Sequence, residues 1–182
     1  MAIFPTRTVT LKNGNILTIR TPVIEDAQTL VDYINQVSAE SDNLSFGAGE
    51  APFTKEQEIK YITSLQIDPH KIMAMGEIDG EVIAVSDISA PPLPRLKHAG
   101  ELGLSVLKKY WNIGVGRALL EYLIDWAKTE GKLKKVNLHV KESNDSGIHL
   151  YEKIGFVEEG RISRGMYINS MYSTLICMGL KL

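Results

Sequence analysis

Two glycines one residue apart, Gly114 and Gly116, stand at the start of a strongly helical segment of this 182-residue chain. The first N–H groups of a helix have no partner inside it, and the helix dipole adds partial positive charge at the same end. Because glycine lets a ligand come close to the backbone, such a helix start is typical of an anion site, most often for phosphate. The two glycines therefore predict a phosphate-bearing ligand.

Three classes of ligand use a glycine-rich turn of this kind. A dinucleotide-binding turn has a third glycine, where this chain has Leu119, and it follows the first strand of its domain. A nucleoside-triphosphate loop needs Lys and then Ser or Thr after its last glycine, and the chain holds no such run. Coenzyme A is the third class, because its pyrophosphate fits the same helix start. The alternative that this helix start binds no ligand is not excluded by these residues.

Composition narrows the class of protein. The 182 residues suffice for a single domain over residues 1–182, and 44% hydrophobic with 23% charged residues is ordinary for a globular chain. A formal net charge of -2 argues against a general nucleic-acid binder. With no long apolar run and no secretory signal, we expect a cytoplasmic protein without a membrane partner. The lone cysteine, Cys177, excludes an internal disulfide and a Cys-based metal cluster, and no metal is expected.

Charged residues are unevenly distributed along the chain. Between Glu25 and Glu58, eight acidic residues accompany a single base, Lys55, whereas the stretch from Arg95 to Lys135 holds nine basic residues. Solvated helix faces and loops would explain this pattern. The alternative is an anionic cofactor on the C-terminal half and a cationic substrate that faces the N-terminal half.

The elements that must position these residues follow from periodicity, turn residues and caps. Strands are predicted at 8–12, 16–20, 71–78, 81–88, 99–106, 136–140, 157–168 and 172–180. Helices are predicted from 25 to about 38, from a Thr54 cap to about 66, from the glycines to about 130, and from a cap at Ser143 or Asn144 to Gly155. This order predicts a mixed α/β sheet with helices packed on its faces.

The residues around the glycines resemble the GNAT N-acetyltransferase superfamily. Residues 101–106 and 108–120 are similar to its acetyl-CoA signature, although Trp111 stands where the family usually has Gln or Arg. Residues 138–144 and 150–156 are similar to its second signature. The resemblance implies acetyl-CoA as co-substrate and a largely antiparallel central sheet of about seven strands flanked by about four helices.

The resemblance also implies which residues hold acetyl-CoA. Pantetheine would lie along the strand at Leu104–Val106, and a backbone N–H of this strand would stabilise the oxyanion. The amides of residues 112–117 would hold the pyrophosphate. The implied set is Leu104, Ser105, Val106, Asn112, Ile113, Gly114, Val115, Gly116, Arg117, Asn144 and Tyr151. For Asn144, a plain helix cap is the alternative.

Two residues take catalytic roles by the same resemblance. Tyr151 is the expected general acid: a phenol has a reference pKa of about 10 and a thiol about 8.5, so Tyr151 stays protonated and can donate to the departing thiolate. Its alternative role is packing and a hydrogen bond to the cofactor. Glu101 is the expected base for the amine, directly or through water, and a sheet-edge ion pair is its alternative.

The acceptor amine would enter between two segments, Glu40–Phe53 and Ser163–Tyr172. The first is acidic and favours a cationic amine, and the second holds Tyr167, Asn169 and Tyr172. We therefore expect an N-acetyltransferase that acts on a primary amine of a small molecule or a protein N-terminus. A catalytically inactive acyl-CoA-binding sensor is the alternative. The final strands could also pair across a two-fold axis, so a homodimer stays open.

Overall fold

The computed structural model describes residues 4–50 and 53–182, and in these residues eight strands form one sheet that carries four α-helices. The strands are β1 (Arg7–Thr10), β2 (Ile16–Arg20), β3 (Lys71–Ile78), β4 (Glu81–Ser89), β5 (Ala99–Val106), β6 (Lys135–Lys141), β7 (Val157–Ile168) and β8 (Met171–Lys181). The helices are α1 (Ala27–Glu40), α2 (Lys55–Ile67), α3 (Val115–Thr129) and α4 (Asp145–Ile154). The eight strands lie at the eight predicted positions, and the mixed, largely antiparallel sheet with four helices is confirmed.

Local sequence signals explain most element ends. Thr54 and Gln57 exchange the two hydrogen bonds of a capping box at the start of α2. Asn144 accepts the Gly147 N–H at the start of α4, and Gly155 ends that helix with a φ of 109°. α1 begins at Ala27, two residues later than predicted, because Ile24–Asp26 form a 3-10 turn. The capping predictions for α2 and α4 are therefore confirmed.

The sheet order is β1-β2-β3-β4-β5-β6-β8-β7, and only β5 and β6 are parallel. These two strands pair from Ala99 to Glu101 and then separate, which leaves a gap. Leu107, just after β5, donates its N–H to Ile83 on the β4 side. Since alternate residues of a strand direct their backbone groups to opposite edges, Leu104 directs its N–H and C=O into the gap.

Helices cover both faces of the sheet. α3 and α4 pack on one face, where Leu119, Leu123 and Phe156 are buried against the strands. α1 and α2 pack on the other, where Leu30 and Ile62 have no exposed surface. None of the described helices is long and apolar enough to cross a membrane. The gap between β5 and β6 thus lies between two helical layers.

Candidate active site

A cavity of about 1200 Å³ occupies the gap and reaches both faces of the sheet. On one face it is lined by the start of α3 and by α4, including Gly116 and Tyr151. On the other face it is lined by α1, α2 and the loop between them, including Tyr33 and Phe46. A ligand in this cavity can therefore contact groups on both faces at once.

The turn before α3 presents free backbone donors to the cavity. Gly114 has a φ of 106° and Asn112 a φ of 64°, so the chain turns sharply just before the helix. The amides of residues 112–117 donate to no backbone carbonyl within the described residues. Free donors at a helix start form an anion site, and a pyrophosphate suits it.

Glycine is needed at the two positions of this turn for different structural reasons. Gly114 needs its left-handed backbone, and its Cβ position lies in nearly open space. A Cβ on Gly116 would lie 3.1 Å from the Leu150 Cδ2 and 3.4 Å from the Leu104 Cδ2. Gly116 therefore lets α3 pack closely against α4 and β5, a role that the sequence analysis did not include.

Two further contacts fix the position of the turn. The Trp111 indole N–H donates to the Val106 carbonyl oxygen at 2.7 Å, which ties the turn to the end of β5. On the other side, the Lys12 N–H donates to the Ile113 carbonyl oxygen at 3.2 Å. Trp111, which departs from the family pattern, thus has a positioning role, because its ring carries a donor that reaches the strand end.

The structure brings nearly all predicted cofactor residues to the cavity. Its lining includes Leu104, Ser105, Val106, Asn112, Gly114, Val115, Gly116, Arg117, Asn144 and Tyr151. Ile113 does not line it, because its side chain packs against the buried core. Asn144 both caps α4 and lines the cavity, so its two alternative roles are compatible.

Tyr151 lies on α4, where its ring packs edge-to-face on Phe156 at 5.9 Å between centroids. The side chain is buried, and its hydroxyl has no hydrogen-bond partner among the residues described. Burial raises the pKa of Tyr151 to about 12. The phenol therefore keeps its proton at neutral pH and has no protein acceptor for it there.

Glu101 pairs with His139, with 2.8 Å between Oε1 and Nδ1, and both side chains line the cavity. They share a sheet face with Ser105, whose Oγ lies 2.9 Å from the Tyr33 hydroxyl on α1. The sequence did not reveal this pair, because it arises from the parallel register of Glu101 with Asn137. Glu101 and His139 are thus on the α1–α2 face, and Tyr151 is on the α3–α4 face.

Two carboxylates of the cavity were missed by the sequence analysis. Asp87 on β4 lies opposite Gly103, and a Cβ on Gly103 would be 2.7 Å from its Oδ1. Burial raises the pKa of Asp87 to about 6. Glu58 on α2 is only 3% exposed, and burial raises its pKa as well. The sequence signal that could have indicated this site is a lone aspartate, Asp87, within the apolar run of β4.

The predicted acceptor entrance needs a correction. Ser41, Leu44, Phe46 and Phe53 line the cavity, but Glu40, Asp42 and Glu50 do not. Residues 51 and 52 of this loop lie outside the described residues. In the described chain, the acidity of the cavity comes from Glu58, Asp87 and Glu101.

Two of these acidic side chains accept backbone N–H groups of residues that do not line the cavity. Glu40 accepts the Lys108 N–H at 2.7 Å, and Glu50 accepts the Gly47 N–H at 2.8 Å. The second predicted segment, Ser163–Tyr172, does not line the cavity at all. It belongs to the β7–β8 hairpin, and both β6 and β8 separate β7 from the gap.

Comparison with known proteins identifies the family. The profile of the Acetyltransferase (GNAT) family matches residues 38–156. The chain belongs to this family. A crystal structure of a GNAT-family acetyltransferase from Streptococcus pneumoniae is 33% identical in sequence and superposes with a TM-score of 0.89. The aligned region covers 91% of this chain and 99% of the chain from Streptococcus pneumoniae.

Curated relatives point the same way. A putative ribosomal N-acetyltransferase of Bacillus subtilis is 28% identical, over 94% of each chain. A spermidine N(1)-acetyltransferase of Vibrio cholerae is 24% identical, over 68% of this chain and 71% of the relative. The protein is an acetyl-CoA-dependent N-acetyltransferase of the GNAT family, and the expected co-substrate is confirmed.

The backbone of the turn allows a stability test. A Gly114→Ala variant places a Cβ on a left-handed residue, so we expect the free energy of unfolding to fall by about 1 kcal/mol. For a chain of this length that corresponds to a melting temperature lower by about 2–4 °C. Gly160→Ala is the matched control, because Gly160 has ordinary φ and no atom within 4 Å of its Cβ position. Equal melting temperatures for the two variants would contradict the strained turn.

Proposed function

We propose that this GNAT enzyme acetylates a primary amine of a small molecule or a protein N-terminus by direct attack of the amine on acetyl-CoA. In this proposal Tyr151 is the general acid and Glu101 the general base. The observation that carries it is the gap between β5 and β6, which is lined by Tyr151 on one face and by Glu101 with His139 on the other. Groups on opposite faces can serve the leaving thiol and the attacking amine separately.

The residues of the gap fit acetyl-CoA. The free amides of residues 112–117 would hold its pyrophosphate at the start of α3. When bound, acetyl-CoA supplies the thioester whose carbonyl carbon the amine attacks. The Leu104 N–H, which points into the gap, would donate to the carbonyl oxygen as it gains negative charge. Because this donor is fixed by the sheet, it needs no rearrangement during the reaction.

Glu101 and His139 would take the proton from the amine. An alkyl amine has a pKa of about 10, so most of it is protonated at neutral pH and cannot attack. In the neutral ring, an Nδ1–H donated to Glu101 leaves Nε2 as an acceptor. Glu101 can therefore accept the proton directly or through water. Alternatively, Glu101 orients His139 and the His139 Nε2 accepts the proton.

Tyr151 would complete the transfer on the opposite face. As the carbon–sulfur bond breaks, the thiolate takes the phenolic proton, and solvent restores it afterwards. The high pKa of Tyr151 keeps the acid form available over the whole neutral and mildly alkaline range. Within the described residues its hydroxyl makes no hydrogen bond, which leaves the O–H free for the sulfur.

A panel of amines tests the proposed activity. We expect thiol release that depends on both acetyl-CoA and a primary amine, from a panel of monoamines, diamines, amino acids and a peptide with a free N-terminus. Tertiary amines of matched size are the control, because their neutral form carries no N–H and attack on the thioester gives no stable amide. Acetyl-CoA binding without thiol release on any amine would support the inactive sensor instead.

Three further predictions belong to the same proposal. One acetyltransferase domain over residues 1–182 is supported by the single sheet to which all eight described strands belong. The cytoplasmic location stays a prediction. A homodimer also stays a prediction, and its candidate surface is the exposed part of the β7–β8 hairpin, at Ile162, Tyr167, Met171 and Tyr172. Sedimentation velocity measures that oligomeric state.

A further inference from the structure

Asp87 and Glu58 form a second acidic site in the α1–α2 half of the cavity, apart from the groups that move protons. Tyr61 lies about one helical turn from Glu58 on α2, and burial, followed by the charges of Asp87 and Glu58, raises its pKa. All three residues line the cavity. Two residues that carry carboxylates, one on a strand and one on a helix, therefore line the same cavity.

Neither carboxylate has a partner in the described part of the protein. Asp87 and Glu58 take part in no salt bridge with a described residue, and the Glu58 Oε1 is buried without any hydrogen bond. Burying a carboxylate without a partner is costly, which is why buried charges are normally paired. A positively charged group from a ligand would supply the missing partner.

The walls of this site also suit a cation. Tyr33, Tyr61, Phe46 and Phe53 line the same cavity as Asp87 and Glu58, and the two phenylalanine rings pack edge-to-face at 6.0 Å between centroids. Aromatic faces attract ammonium groups. On the floor, Gly103 leaves room for the Asp87 carboxylate, which a Cβ would displace. The site is therefore shaped around a carboxylate that is open to the cavity.

We propose that Asp87 and Glu58 bind the second positively charged group of an acceptor that carries two amino groups, while its reacting amine lies at Glu101. Gly103, opposite Asp87, is two residues from Glu101 on the same face of β5, which corresponds to about 7 Å along the strand. A short carbon chain between two amines spans such a distance. This inference rests on the proposed function, and it names diamine-type molecules as the substrate class.

A matched set of three amines tests it: butylamine, diaminobutane and aminobutanol. We expect the wild-type KM for diaminobutane to be about ten- to hundredfold lower than for the other two, because a hydrogen bond to a charged partner contributes that much. Asp87→Asn and Glu58→Gln should each raise the KM for diaminobutane towards that for butylamine. The KM for butylamine and kcat should change little.

Two variants separate this effect from general damage. Asp42→Asn makes the same change at an exposed carboxylate outside the cavity and should leave all three KM values unchanged. Gly103→Ala keeps Asp87 but displaces its carboxylate, so it should also lose the preference for the diamine. Circular dichroism and thermal melting confirm that each variant is folded.

Calorimetry on the protein saturated with CoA, which carries no acetyl group, gives a readout without turnover. Tighter binding of diaminobutane than of butylamine supports the second site even if no amine releases thiol, a result that would defeat only the proposed function. Equal affinities and equal KM values in the wild type would overturn the inference and leave the proposed activity standing. An equal rise of KM for butylamine in Asp87→Asn would also overturn it.

Discussion

Replacing Tyr151 by phenylalanine is expected to lower kcat about ten- to thousandfold, which lies within the usual contribution of a general acid or just below it. The substitution removes only the hydroxyl, so the packing on Phe156 persists. The Kd of acetyl-CoA, measured by calorimetry, should therefore remain that of the wild type. A loss of kcat without a loss of affinity would assign the effect to proton transfer.

Tyr122→Phe is the matched control for this variant. Tyr122 is a fully buried tyrosine of α3 whose hydroxyl donates to the Phe4 carbonyl oxygen at 3.2 Å, away from the cavity. The Tyr122→Phe variant should change the free energy of unfolding slightly and kcat hardly at all. Since burial raises the pKa of Tyr151 to about 12, the wild-type rate should show no fall from tyrosine ionisation below about pH 10. An unchanged kcat in Tyr151→Phe would exclude Tyr151 as the acid.

Replacing Glu101 by glutamine is expected to lower kcat/KM at neutral pH by about a hundredfold or more, the usual contribution of a general base. The glutamine can still accept the His139 Nδ1–H, so the variant removes the charge and leaves the pair's geometry. Without the base, the rate depends on amine that has already lost its proton. It should therefore rise about tenfold per pH unit up to the amine pKa near 10.

His139→Gln separates the two members of this pair. If Glu101 takes the proton directly or through water, the histidine variant keeps most of the rate and the flatter pH profile of the wild type. If His139 takes it, His139→Gln shows the steep profile, whereas Glu101→Gln, which keeps the Nδ1–H hydrogen bond, retains more of the rate. Glu101→Gln with the rate and pH profile of the wild type would exclude Glu101 as the proton acceptor.

Much of the fold could be predicted from the sequence, because its determinants are local. The caps at Thr54 and Asn144, the left-handed Gly155 and the strand periodicities all act over a few residues. Val115, Leu119 and Leu123 recur at helical spacing in the sequence, and all three are buried in α3. The phosphate turn was recognisable because helix start and glycines are adjacent in the chain.

The acceptor half of the cavity could not be predicted in the same way, because its residues meet only through the sheet. Asp87 comes from β4, Glu58 from α2 and His139 from β6, so no sequence spacing links them. The charges of the loop led to a wrong expectation, because the sequence does not show which donors hold them. Glu40 and Glu50 are acidic in sequence, but nearby backbone N–H groups hold their carboxylates.

Amide NMR tests most directly whether acetyl-CoA binds and reacts in the gap between β5 and β6. The ¹⁵N–¹H spectrum is compared for the free protein, the CoA complex and the acetyl-CoA complex. CoA should shift the amides of residues 112–117, and the further change from CoA to acetyl-CoA should centre on Leu104. The amides of Tyr167 and Tyr172 should not move. Shifts at the β7–β8 hairpin with none at Leu104 would contradict the placement of the reaction in this gap.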